Sequence, residues 1–245
     1  MKSRTRGLVG GIACLVGILA VTGTASATFH ENLIREVHDS TTPTGDYVEL
    51  QSYSAGQNLV GGKYVNFYDG GGGLYKSVLI PSNVANGANQ ATILLADDAS
   101  VTGADVVNTD VHAVDTGGTV CYSTSPVGTA PALDCVAYTS GLTMFPATPP
   151  SPFGTPVSLP GGNLDGHTLI RSISRGCATT LDAADDTNNS VADFTVGTGT
   201  PRGNSVTPTE VACPPVVPKK KCKKGKHLKK VHGKKKCVKK KKHKK

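Results

Sequence analysis

Two short β-type runs, joined by a turn that a helix would not tolerate, set the limits on what this chain can fold into. Residues 34–50 read IREVHDSTTPTGDYVEL. In the second run Val48 and Leu50 fall on one side of an extended chain and Tyr47, Glu49 and Gln51 on the other, the alternation of a half-buried strand. Between the runs, Thr, Pro, Gly and Asp supply a turn. The same grammar recurs: 63–68 sets Val65 and Phe67 on one face, 74–80 alternates until Pro81, and 91–96 carries ILL. Residues 119–122 and 134–138 read as a hairpin, 168–173 as another strand and 191–196 as the last. The glycines at 70–73 read as a flexible turn. The polar stretch 97–115 reads as a loop with one helical turn, and the Pro-rich run 145–160 as an excursion over the surface. No window sustains a helical period, so the expected fold is an all-β sandwich.

The net charge of +8 describes no real part of the molecule, because the charges are segregated. Residues 29–218 hold six Lys and Arg (Arg35, Lys63, Lys76, Arg171, Arg175, Arg202) against all 18 Asp and Glu, a balance of −12. Seventeen lysines follow. An acidic body thus carries a basic appendage.

The start reads as an export signal. Lys2, Arg4 and Arg6 form a positive segment, 8–21 is apolar, and Ala25-Ser26-Ala27 is a small-residue cleavage site. An uncleaved anchor would want about 20 apolar residues, more than this run offers. The expected organisation is a signal peptide at 1–27, a β-domain at 28–213, a Pro-rich linker at 214–218 and a disordered Lys-rich tail at 219–245. No span of the membrane is expected after signal cleavage, which makes the protein secreted, with retention at the cell envelope as a further expectation.

IREV followed by DYVEL, a glycine before a strand (62–67), a later ILLA, and finally TLIRSI, an acidic turn and DFTVGTGTPRGNS together form a pattern. It resembles the bacterial lamin tail domain, which commonly opens with I-x-E-V and D/E-Y/F-V-E-L strands. That domain closes with S-L-x-R, D-F and a Thr-Pro turn ending on Asn. The resemblance covers about residues 33–205 and implies an immunoglobulin-like β-sandwich without a catalytic centre. The G-W usual after the second strand is missing, since the chain has no Trp, and Gly62-Lys63-Tyr64 stands there, with Tyr64 expected to fill part of that core position. No ligand residues carry over.

Outside the signal, six cysteines remain, an even number that in an exported chain implies disulfides, with 15 possible connectivities. Local pairing is expected. Cys121 with Cys135 would close the hairpin, at about 3 kcal/mol in the chain-entropy model, and Cys177 with Cys213 would tie down the last strand at about 4 kcal/mol. Cys222 and Cys237 are left for the tail. Cys222, His227, His232 and Cys237 are evenly spaced and make a set zinc could use, but an oxidising compartment and the surrounding ammonium groups oppose it.

The tail offers Lys219, Lys220, Lys221, Lys223, Lys224, Lys226, Lys229, Lys230, Lys234, Lys235, Lys236, Lys239, Lys240, Lys241, Lys242, Lys244 and Lys245 as a polyanion-binding set. So dense a run repels itself and is expected to be disordered apart from any Cys222–Cys237 loop. Without aromatic residues or arginine among the lysines, binding should be sequence-blind and salt-sensitive, on wall polymer, lipid headgroups or nucleic acid. The bland alternative is a solubilising tail folded back on the acidic body.

The sequence carries no G-x-S-x-G elbow and no complete H-E-x-x-H, and GGGGLYKS at 70–77 departs from a phosphate loop at Tyr75. Asp182, Asp185, Asp186, Asn188, Asn189 and Asp193 form a turn rich in oxygen ligands, suited to Ca²⁺ or simply to solvent. The histidines at 30, 38, 112 and 167 are far apart, with nothing to show convergence. The expectation is a non-enzymatic protein without cofactor or metal, held by its tail to anionic envelope polymers. The alternative is an extracellular, sequence-non-specific nucleic-acid binder.

Overall fold

The computed structural model describes residues 29–126, 132–139, 153–213, 222, 226–231 and 234–239. The expected signal at 1–27, the spacer at 214–218 and the Pro-rich residues 145–152 lie outside the described residues.

The body is an all-β sandwich. Its strands are β1 (Asn32–His38), β2 (Tyr47–Ser52), β3 (Tyr64–Asp69), β4 (Leu74–Leu79), β5 (Thr92–Ala96), β6 (Val106–Val107), β7 (Gly117–Ser123), β8 (Ala132–Thr139), β9 (Val157–Ser158), β10 (Thr168–Arg171) and β11 (Phe194–Gly197). A single helical turn, α1 (Ser190–Asp193), precedes β11. One sheet runs β11-β10-β1-β2-β5-β6 and the other β4-β3-β7-β8-β9. The two strands that open the sequence pattern, β1 and β2, therefore sit in the middle of the first sheet. Between the sheets Ile34, Val37, Val48, Leu50, Ile93 and Leu95 meet Val65, Phe67, Val78, Val120, Tyr122, Val136 and Tyr138 in one apolar cluster.

Strict alternation would send Ile34 and Val37 to opposite faces. The register between β1 and β2 slips between Ile34 and Glu36, so Arg35 is the extra residue of a bulge and both apolar side chains enter the core.

β2 is buried on both faces rather than half-buried. Its outer face is covered by the chain at 199–210, which crosses the sheet as a strap. Thr200 N donates to Glu36 Oε2 (3.0 Å), Arg202 N to Glu49 Oε2 (2.6 Å), and Gln51 Nε2 to Glu210 Oε1 (3.0 Å). Gly203 packs its backbone on the Gly103 carbonyl, where a Cβ would collide.

Other expectations are corrected locally. The stretch 97–115 holds no helical turn; it supplies β6, parallel to β5. The end of the Pro-rich run is no surface excursion, because β9 pairs with β8 and buries Val157 and Leu159. The 70–73 turn is pinned, since Asp69 Oδ1 accepts from Gly71 N and Gly73 N at 2.9 Å each. Tyr64 is only half-buried and does not fill the missing Trp position, whereas Val60 nearby is fully buried in the core.

In the tail, β12 (Lys226–Val231) and β13 (Lys234–Lys239) form a separate two-stranded sheet that the Cys222–Cys237 bond staples, with β13 running two residues past the closed loop. Disorder had been expected only outside such a loop, and the rest of the tail lies outside the described residues. Among the described residues no helix is long and apolar enough to cross a membrane.

The packing generates a contrast measurable by urea denaturation. Phe67→Ala, at a 1% exposed core position, should cost about 3–5 kcal/mol. Leu74→Ala, at a 42% exposed position on the same hairpin, should change stability by less than about 0.5 kcal/mol.

Candidate functional site

Three concentrations of charge stand out: the basic hairpin, a buried arginine beside the acidic turn, and a carboxylate cluster at one end of the sandwich.

Of the seventeen lysines, Lys226, Lys229, Lys230, Lys234, Lys235, Lys236 and Lys239 lie on the hairpin strands. Lys219, Lys220, Lys221, Lys223, Lys224, Lys240, Lys241, Lys242, Lys244 and Lys245 fall outside the described residues. The register places Lys226 opposite Lys239, Lys229 opposite Lys236 and Lys230 opposite Lys235. Lys229 and Lys236 are both exposed. Directly opposed like charges work against the ladder that pairs them, so the hairpin is held chiefly by its disulfide and backbone bonds.

The cysteines are joined as Cys121–Cys135, Cys177–Cys213 and Cys222–Cys237. Cys121 and Cys135 are direct partners in the β7–β8 register. With Cys222 and Cys237 bonded to each other, the evenly spaced tail set has no thiolates to offer zinc.

In the acidic turn the buried carboxylates Asp185 and Asp193 are taken up by the chain's own donors, while Asn188 is exposed and Asp182, Asp186 and Asn189 are partly so. Asp185 accepts backbone N–H groups from Ser174, Arg175 and Asp182. Asp193 accepts from Arg175 Nη1 (2.8 Å), Thr187 N (2.8 Å) and Thr187 Oγ1 (2.7 Å). Asp182 caps the turn through Ala184 N and also receives Cys177 N. Positive charge comes from Arg171, wholly buried, whose Nη1 lies 3.6 Å from Asp186 and 3.9 Å from Asp193. A guanidinium stands where a dication had been considered.

Arg171 reaches further. Its Nη2 donates to both oxygens of Asp134 (2.7 and 2.6 Å), and Nε donates to the Ile34 carbonyl (2.8 Å). Asp134 also accepts Ile34 N at 2.6 Å. The Phe194 ring lies beneath the guanidinium, 4.4 Å from centroid to Cζ. Burial pushes the Asp134 carboxyl up to about 6, with Arg171 pulling the other way.

The third concentration joins residues that the sequence keeps apart. Asp39 closes β1, Asp46 opens the way into β2, and His112 and Asp115 come from the β6–β7 connection. Ligand atoms of Asp39, Asp46 and His112 all lie within 4.8 Å of one another. His112 Nδ1 is 2.6 Å from Asp46 Oδ2, and Asp46 Oδ1 accepts Ser40 N at 2.8 Å. Asp39 is 2% exposed, and no donor reaches its Oδ2. Its carboxyl lies within hydrogen-bonding reach of that of Asp115; burial, then Asp46 and Asp115, push it up to about 8. Sequence could hint at Asp39 and Asp46, which flank one turn, but gave no sign of His112 beside them. His38 is turned away, with Nδ1 on the His167 carbonyl (2.9 Å) and Thr168 Oγ1 (3.0 Å).

In comparisons with known proteins, no family model matches the chain and no curated protein matches it in sequence.

Two outcomes follow from these charges. Arg171→Leu strands Asp134 in the interior and should cost about 3–5 kcal/mol in chemical denaturation. Burial also pushes the Glu49 carboxyl up to about 8, against the pull of the Arg202 N–H. The folded state therefore keeps a proton that the unfolded chain releases near its ordinary value, so Glu49's contribution falls as pH rises from about 5 to 8. Glu49→Gln should flatten the fall of Tm across that range.

Proposed function

We propose that this chain is an exported, non-enzymatic immunoglobulin-like sandwich of the lamin-tail type, retained on anionic cell-envelope polymers by its lysine-rich tail. The observation that carries the reading is the hairpin register, which sets lysine opposite lysine at 229 and 236 and at two further pairs. Such pairing is unfavourable for an isolated protein and becomes favourable when a polyanion lies along it, because each neutralised lysine releases counterions from the polymer. An acidic body of −12 is repelled by the same polymer, so the tail grips while the sandwich is held away from the surface.

Export is supported by three disulfides, which persist in oxidising compartments. The lamin-tail likeness is supported by what its motif residues do here. Arg171 of TLIR, Asp193 and Phe194 of DF, and Asn204 of the closing turn are all buried structural residues. Asn204 Nδ2 donates to the carbonyls of Thr92 (2.9 Å) and Asn86 (3.1 Å), fixing the strap to the sheet. A domain whose hallmark residues are spent on packing fits a display or spacer module.

Cell fractionation at low and high salt tests the proposal. The intact chain should stay with the envelope at low salt and be released at about 1 M, where screening acts within about 3 Å. A chain lacking residues 219–245 should appear in the medium at either salt. Envelope association unchanged by the truncation refutes tail anchoring. Retention lost on nuclease treatment instead assigns the tail to nucleic acid.

A further inference from the structure

We propose that the end of the sandwich where Asp39, Asp46 and His112 meet is a binding site for a divalent metal ion of the Mn²⁺ class. The carboxylates would be ligands and the imidazole the nitrogen donor.

Buried carboxylates normally accept N–H groups or face a guanidinium, as Asp185 and Asp134 do at the other pole of charge. Asp39 is 2% exposed, and its Oδ2 receives no donor. The groups pressing on it are other carboxylates, Asp46, Asp115 and Asp165. Two carboxyl groups within hydrogen-bonding reach share either a proton or a cation. With donor atoms of Asp39, Asp46 and His112 within 4.8 Å, one ion can touch all three.

The scaffold is rigid for the purpose. Asp39 is locked through its carbonyl, which accepts Gly166 N at 2.8 Å, and Asp115 through its carbonyl, which accepts Leu164 N at 2.8 Å. Asp46 is aimed by Ser40 N and by the His112 ring. An open cleft of about 290 Å³, lined by Asp69, Tyr75, His112, Val114, Asp115 and Thr116, brings solvent to the His112 side of the cluster. Oxygen ligands suit Mg²⁺, Ca²⁺ and Mn²⁺, and an imidazole tilts the set toward a transition ion, which makes Mn²⁺ the probe of choice.

The test is electron paramagnetic resonance of Mn²⁺ added to the full chain after removal of divalent ions, in which bound ion is lost from the free-ion signal. The expected result is one Mn²⁺ per chain with a Kd below about 1 mM. Asp39→Asn and His112→Gln should each weaken it by about tenfold or more. Asp39→Asn keeps the shape and replaces a carboxyl crowded by other carboxylates with a neutral amide, so its Tm without metal should equal or exceed that of the natural chain. Should it fail to fold, the half-exposed His112→Gln decides. No bound Mn²⁺ at about 1 mM, or binding in either folded variant within a few-fold of the natural chain, overturns the donor set assigned here.

Discussion

A single guanidinium in the interior fixes how the parts of this sandwich meet. Arg171 leaves β10, takes the Ile34 carbonyl of β1, grips Asp134 of β8 in the opposite sheet, and neutralises the turn that carries Asp186 and Asp193. Taking that charge out of water is costly and is offset only because every neighbour contributes an acceptor. An apolar side chain would tolerate several arrangements of the two sheets, whereas an Nη2 shared between both oxygens of a buried carboxylate at 2.6–2.7 Å tolerates few. The arginine thus acts as a specifier of alignment more than as a source of net stability.

The two other charge concentrations show what happens without such complementarity. At the β1–β2 end, carboxylates crowd around Asp39 with one imidazole between them. On the hairpin, lysine opposes lysine. Both place like charges close together, an arrangement that costs free energy unless an opposite charge is brought up to it. They lie on separate sheets, so the two needs can be met independently.

How much of this was legible follows from the range of each interaction. The paired runs at 34–50, the β7–β8 hairpin and the three disulfides depend on neighbours in sequence, and alternation and spacing expose them. The double burial of β2 was hidden because what covers Glu49 and Gln51 arrives from residues 202 and 210, more than 150 positions later. The acidic turn misled for a different reason: composition counts carboxylates but does not say whether they face water, an ion or the chain's own N–H groups, and here the last prevails. His112 joined Asp46 across 66 residues, a distance that local spacing cannot bridge.

The bond between Cys177 and Cys213 has a mechanical meaning for any load applied to the tail. Tension arriving along 214–245 enters at Cys213 and is shunted through sulfur to Cys177, at the edge of the segment that carries Arg171. The 35 residues between them, including α1, β11 and the strap, are bypassed by the load. Pulling on the appendage therefore does not peel the last strand from its sheet.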